Sequence, residues 1–172
     1  MLTKVNLGAD QMWKLVVLVV ICAPLSLPTH AQVGNVQTVN GTCDSTSHTA
    51  EGPIDSDLTK RQSRFYCDSA VITFLDDYKG HVLIQFSQKG SHHSPILGFA
   101  GVIEAREPGD VGTMMQVDHV YLVPGQATTV SDGSCKFFLK NQKMSGIFCG
   151  MKVDEVGRRT AAIVVFNVSP DQ

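Results

Sequence analysis

Six histidines, a scatter of paired acids and five cysteines are the residues of this 172-residue chain with chemistry to offer. The adjacent pair His92-His93 stands between Ser91 and Ser94, in the polar stretch Gln88 to Pro95. Neighbouring side chains on extended backbone point to opposite sides, so the two imidazoles need a turn before they can grip one metal ion. Further ligands would have to come from His48, His81, His119 or a carboxylate, yet no H-x-H, H-x₃-H or Cys/His spacing joins them. Met114-Met115 would add soft thioethers suited to copper beside His92 or His93. Methionine at the start of a strand reads more simply as core. The expectation is therefore no metal and no cofactor, with His92 and His93 in a candidate binding loop.

Nucleophilic chemistry needs a nucleophile held by a base, and the chain offers little of it. Ser134, in Asp132-Gly133-Ser134-Cys135, resembles a nucleophile turn, but no G-x-S-x-G is present and a strand follows instead of a helix. Asp118 and His119 are neighbours on a predicted strand, which sends them to opposite faces and denies them a dyad. Asp76-Asp77 and Asp154-Glu155 fall where hairpin turns want acids, not where two carboxylates converge in a cleft. Arg158-Arg159 and Lys60-Arg61 are cationic pairs able to meet a carboxylate or phosphate, and read as solvated turns. The fifteen glycines look like turn punctuation, with no phosphate-cradling loop among them. Catalysis is not the leading expectation.

The cysteines point to a compartment. Residues 1–31 carry Lys14, the apolar run Leu15 to Ala23, Pro24, Pro28 and the small-residue ending Thr29-His30-Ala31. That pattern is expected to be a secretory signal peptide cleaved after Ala31, too short and too soon broken by proline to anchor in a bilayer. Translation from Met12 would give the leader a more ordinary start. Cys43, Cys67, Cys135 and Cys149 then remain, an even set that oxidises to two disulfides outside the cytosol. Twelve basic residues face fifteen acidic ones after residue 31, a formal charge of −3 with no basic run. Nucleic acid and membrane surfaces are not expected as partners. Asn40-Gly41-Thr42 and Asn167-Val168-Ser169 match the N-glycosylation acceptor pattern.

The elements that position these residues are strands. Residues 32–64 are polar, rich in Thr, Ser, Gly and Asp, and read as a loop-rich arm with at most a short helical turn. From 65 to 172, short runs of Val, Ile and Phe alternate with Gly, Asp, Asn and Pro, the mark of antiparallel β structure. Ala70 to Leu75 and His81 to Phe86 form a hairpin in which Phe74 is expected opposite Ile84 and Ile72 opposite Phe86. Ile96 to Ile103 is a glycine-interrupted strand open to a bulge, and Val117 to Val123 ends at Pro124-Gly125. Opposing Phe137 to Ile147 across Lys140 to Lys143 also opposes Cys135 to Cys149, so one register yields both an apolar face and a disulfide. Cys43–Cys67 follows by elimination. Thr160 to Val168 is apolar enough to be a central strand buried on both faces. The fold class is all-β, an antiparallel sandwich or small barrel of six to eight strands with two disulfides.

Several of these features occur together between Phe65 and Phe166: the hairpin around Asp76 to Gly80, Phe99-Ala100-Gly101, Val117-Asp118-His119-Val120, and Gly133-Ser134-Cys135 with Cys149. In them the chain resembles small exported bacterial proteins that carry no assigned activity, which implies a secreted or periplasmic location and no chemistry. In size, four-cysteine layout and β content it is similar to periplasmic lysozyme inhibitors of the compact β-barrel type, a likeness of architecture. The functional expectation is a non-catalytic, inhibitor-like module that binds a protein or cell-envelope component. The alternative is an envelope hydrolase or metal-binding protein using the His92-His93 loop.

Overall fold

A computed structural model describes residues 33–75, 80–87, 96–104 and 112–170. Its strands are β1 (Val33–Cys43), β2 (His48–Pro53), β3 (Gln62–Arg64), β4 (Ser69–Leu75), β5 (His81–Ser87), β6 (Leu97–Ile103), β7 (Gly112–Val123), β8 (Gln126–Thr129), β9 (Asp132–Lys140), β10 (Lys143–Glu155) and β11 (Arg158–Val168). Leu58–Arg61 forms a 3₁₀ turn in which the Asp57 carboxylate caps the N–H of Thr59. The wall runs β1-β4-β5-β6-β7-β9-β10-β11 with every neighbour antiparallel, and β11 returns to β1. Of the sandwich or small barrel expected, the chain forms an eight-stranded barrel, with β2, β3 and β8 added at its margin.

Closure depends on the polar segment that reads as a loop-rich arm, and this corrects the sequence expectation. Residues 32–64 contribute β1, β2 and β3, because the ladder uses backbone groups that polar residues carry as well as apolar ones. β1 and β2 follow one another along the same edge of β11: Gly41 to Cys43 oppose Val168 to Phe166, and His48 to Pro53 oppose Ile163 to Arg158. Residues 44–47 bulge between them. The Asp44 N–H donates to Val165 O at 2.7 Å, and the fully buried Ser47 hydroxyl both accepts from Val165 N–H at 3.0 Å and donates to Val165 O at 3.2 Å. Ser131, between β8 and β9, does the same for β10. Its hydroxyl donates to Lys152 O at 3.1 Å and accepts from Asp154 N–H at 3.0 Å.

The interior is apolar. Phe86 meets Phe99 edge-on at 6.0 Å between ring centroids and Phe166 at 5.7 Å, a plug across the middle of the barrel. Two glycines make room for this wall. A Cβ on Gly41 would stand 2.6 Å from the Phe166 ring, and one on Gly101 would stand 1.9 Å from Gln116 O. Cys135–Cys149 lies across β9 and β10 inside the barrel, and Cys43–Cys67 ties the bulge after β1 to the approach to β4.

Other expectations meet mixed outcomes. The β9–β10 register pairs Cys135 with Cys149 and Phe137 with Ile147 as read from sequence, and Asn141 and Gln142, both at positive φ, make the two-residue turn. The β4–β5 register differs by two residues: Ile72 faces Ile84, and Phe74 faces Val82. Side chains alternate with a period of two, so a two-residue slip leaves the same set facing inward and the pattern alone cannot choose. The bulge expected in β6 falls instead on its partner: Asp118 of β7 is the extra residue opposite Ala100 and Gly101. β7 begins at Gly112, earlier than Val117. β11 is paired on both edges, but it is buried on one face only, with Ala162, Val164 and Phe166 inside and Ala161, Ile163 and Val165 half-exposed. A barrel strand has one inner and one outer face, which a continuous apolar run does not reveal.

If Ser47 completes the ladder, Ser47→Ala leaves the Val165 N–H without its partner and destabilises the fold by about 1–3 kcal/mol, as read from urea unfolding. Ser45→Ala, at the exposed neighbouring hydroxyl, is the control and changes stability by less than about 0.5 kcal/mol.

Candidate functional site

At one end of the barrel the wall divides. β3-β2-β11-β10 continue as one sheet and the far half of β7 continues with β8 as another, and among the described residues β3 and β8 each pair on one side only. Between these two lips lie adjoining hollows of about 260 and 270 Å³. Both are lined by Glu51, Leu122 and Thr160, so they form one cleft across the mouth. Residues opposite one another in a ladder share a face. Thr160 opposes both Glu51 and Val153, which brings these three side chains to the inner face of their lip. Leu122 comes from the other lip. The floor is apolar, with Leu97 and Phe65 buried beneath the second hollow and Val153 beneath the first.

The polar groups gather at the rim. Glu51 and Glu155 are the charged residues lining the hollow between β8 and β10. Arg158 holds Glu51 through Nη2 to Oε1. On the outer side, Arg159 grips Asp154 with Nε to Oδ1 at 2.6 Å and Nη2 to Oδ2 at 3.1 Å, and Lys152 stands 3.9 Å away. Hydrogen bonding from Arg159 holds the Asp154 carboxyl below its ordinary value. The pair Arg158-Arg159 thus braces the β10–β11 hairpin at the mouth, and Asp154-Glu155 ends the strand before the turn as the sequence suggests.

A second constellation sits on the outer wall. Asp118 Oδ1 accepts from His119 Nδ1 at 2.8 Å and Oδ2 accepts from His81 Nε2 at 3.3 Å. The sequence reading denied Asp118 and His119 a common face, and the structure overturns it. Asp118 is the extra residue where β7 bulges against Ala100 and Gly101 of β6, and a bulge suspends strict alternation. The carboxylate can only accept here, so each ring nitrogen facing it carries a proton.

The remaining sequence candidates are dispersed. His92 and His93, like Asp76 and Asp77, lie outside the described residues. His48 donates its Nδ1 proton to Thr46 O at 2.6 Å. Met115 is buried in the core and Met114 is half-exposed beside it on β7. Ser134 lies on β9 between Gln116 and Gly150. Lys60 and Arg61 belong to the 3₁₀ turn, Lys60 3.8 Å from Asp57. Among the described residues no three His, Cys, Asp or Glu side chains are arranged to hold a metal ion. None of their helices is long and apolar enough to cross a membrane.

Sequence reasoning missed Thr49, Glu51 and Thr160 because it treated their surroundings as an arm and as buried strand. A weak signal was present in His48 to Pro53, where Thr49 and Glu51 alternate with the buried Ala50 and Gly52. Comparisons with protein-family models, curated proteins and solved structures give no match.

A folded carboxyl held low adds stability that is complete above its unfolded value and is lost as pH falls through the lower folded one. For Asp154 the unfolded value is 3.8. Asp154→Asn is therefore expected to be less stable than the parent near neutral pH, with the difference fading at about pH 2. Urea unfolding of both proteins at the two pH values checks this.

Proposed function

We propose that this protein is an exported, non-catalytic binding module that receives an apolar group of a protein or cell-envelope component in the cleft between the two lips. The carrying observation is the cleft itself. Its floor of Leu97, Phe65 and Val153 and its rim of Thr49, Glu51 and Thr160 combine a water-excluding base with a few convergent polar groups. Two disulfides support a secreted or periplasmic location, since such bonds persist where thiols oxidise. The apolar, short leader read from residues 1–31 supports it as well. A rigid barrel wall, stapled and closed on itself, suits presentation of a fixed surface more than an induced fit.

A hydrolase is a second reading, favoured by one observation: a carboxylate bridging His81 and His119 orients two imidazoles on a bulged strand. Hydrolysis of p-nitrophenyl acetate above that of an unrelated barrel, and lost in Asp118→Asn, would carry this reading in place of the first.

The binding reading is tested with a neutral solvatochromic dye, Nile red. The dye is expected to gain fluorescence with the folded protein, and Leu122→Asp, at a half-buried position, is expected to weaken its binding at least about tenfold while the melting temperature changes little. No gain in fluorescence, or equal binding by Leu122→Asp, would sink the proposal.

A further inference from the structure

We infer that the cleft takes its partner as an extended peptide, added as a strand along β8, with an apolar side chain entering the mouth and a basic one two residues away at the rim. This rests on the cleft being a binding site and adds the class of partner. The first ground is the direction of the β8 backbone groups. Val130 N–H donates to Asp118 O at 2.9 Å, which makes His119 and Thr129 a non-hydrogen-bonded pair and Val120 and Thr128 a hydrogen-bonded one. The groups of Thr128 therefore face β7, and the N–H and C=O of Ala127 and Thr129 point away from it. Both residues are exposed, and among the described residues β8 has no second neighbour in the ladder. Such an edge is a template for another strand.

The second ground is where this edge lies. The hollow beside it is bounded by Gln126 and Thr128 on one side and by Val153 and Glu155 on the other. β9 accompanies β10 only as far as Lys152, and Ser131 closes the ladder at Asp154. The space next to β8 is therefore open along the strand direction, which admits a chain lying lengthwise.

The third ground is charge. The charged lining of this hollow is Glu51 and Glu155; Arg158, opposite Glu155 in the β10–β11 ladder, gives its guanidinium to Glu51. Val153 and Glu155 are two residues apart on one strand and so share a face. A strand laid beside them meets an apolar contact and then a carboxylate at the spacing of its own alternating side chains. The matching sequence is an apolar residue with Lys or Arg two positions away.

The test uses a capped, fluorescein-labelled peptide, Thr-Lys-Thr-Val-Thr-Lys-Thr, whose palindromic pattern fits either strand direction. Anisotropy titration of the whole protein is expected to show saturable binding. Ala127→Pro removes an outward-facing N–H without touching the bonds to β7, and is expected to weaken peptide binding at least about tenfold; Ala127→Val is expected to retain it. Glu155→Gln is expected to lower the affinity and flatten its salt dependence. Nile red binding by Ala127→Pro reports that the mouth is intact.

Three results would overturn the inference. The first is equal peptide affinity in Ala127→Pro and Ala127→Val. The second is a peptide that fails to bind a protein that still binds the dye, which leaves the cleft reading standing. The third is a homodimer, seen by sedimentation and abolished by Ala127→Pro, which would show a second copy occupying the edge. Failure of both peptide and dye would remove the cleft reading as well.

Discussion

The molecule depends on an unbroken circuit of backbone hydrogen bonds around a barrel wall, and the weakest arc of that circuit is where β11 meets the N-terminal strands. There the chain offers four residues, 44–47, against two. Unpaired backbone groups in a buried wall are costly, so the mismatch needs a local remedy. Ser47 supplies it with one hydroxyl that both donates and accepts at Val165. The Cys43–Cys67 bond fixes the same bulge from the inner side. With the circuit closed, the inner faces of eight strands meet in an apolar core centred on three phenylalanines.

The same breaks shape the functional end. Where β1 gives way to β2, and β8 to β9, the wall changes partners and the two lips separate. The lips add short ladders and the ion pairs of Arg158 and Arg159 to the buried contacts of Val153 and Phe65. Strand edges ended in this way leave β8 with backbone groups that point outward. A feature needed for closure at mid-barrel therefore produces an opening at its end.

The outer wall shows a related effect of irregular backbone. One extra residue in β7 turns Asp118 toward His119 and His81, which ordinary alternation would keep apart. The bulge accompanies Gly101, where any side chain would strike Gln116 O. Glycine and carboxylate are thus linked through the backbone and not through contact of their side chains.

The sequence by itself determined the all-β class, the β9–β10 register and both disulfides. Each rests on short-range information: alternation of large apolar residues, the turn-like run Lys140 to Lys143, and an even number of cysteines with one cross-strand register that aligns a pair. It also separated inward from outward residues on β4 and β5, although a two-residue slip in their pairing left no trace in that pattern. Tertiary structure alone decided that the polar segment from Val33 to Arg64 forms part of the wall, because backbone pairing makes no demand on side-chain polarity. It alone brought Glu51 and Thr160 to face Leu122, residues from strands far apart in the chain, since a barrel mouth exists only once the sheet has curled and met itself.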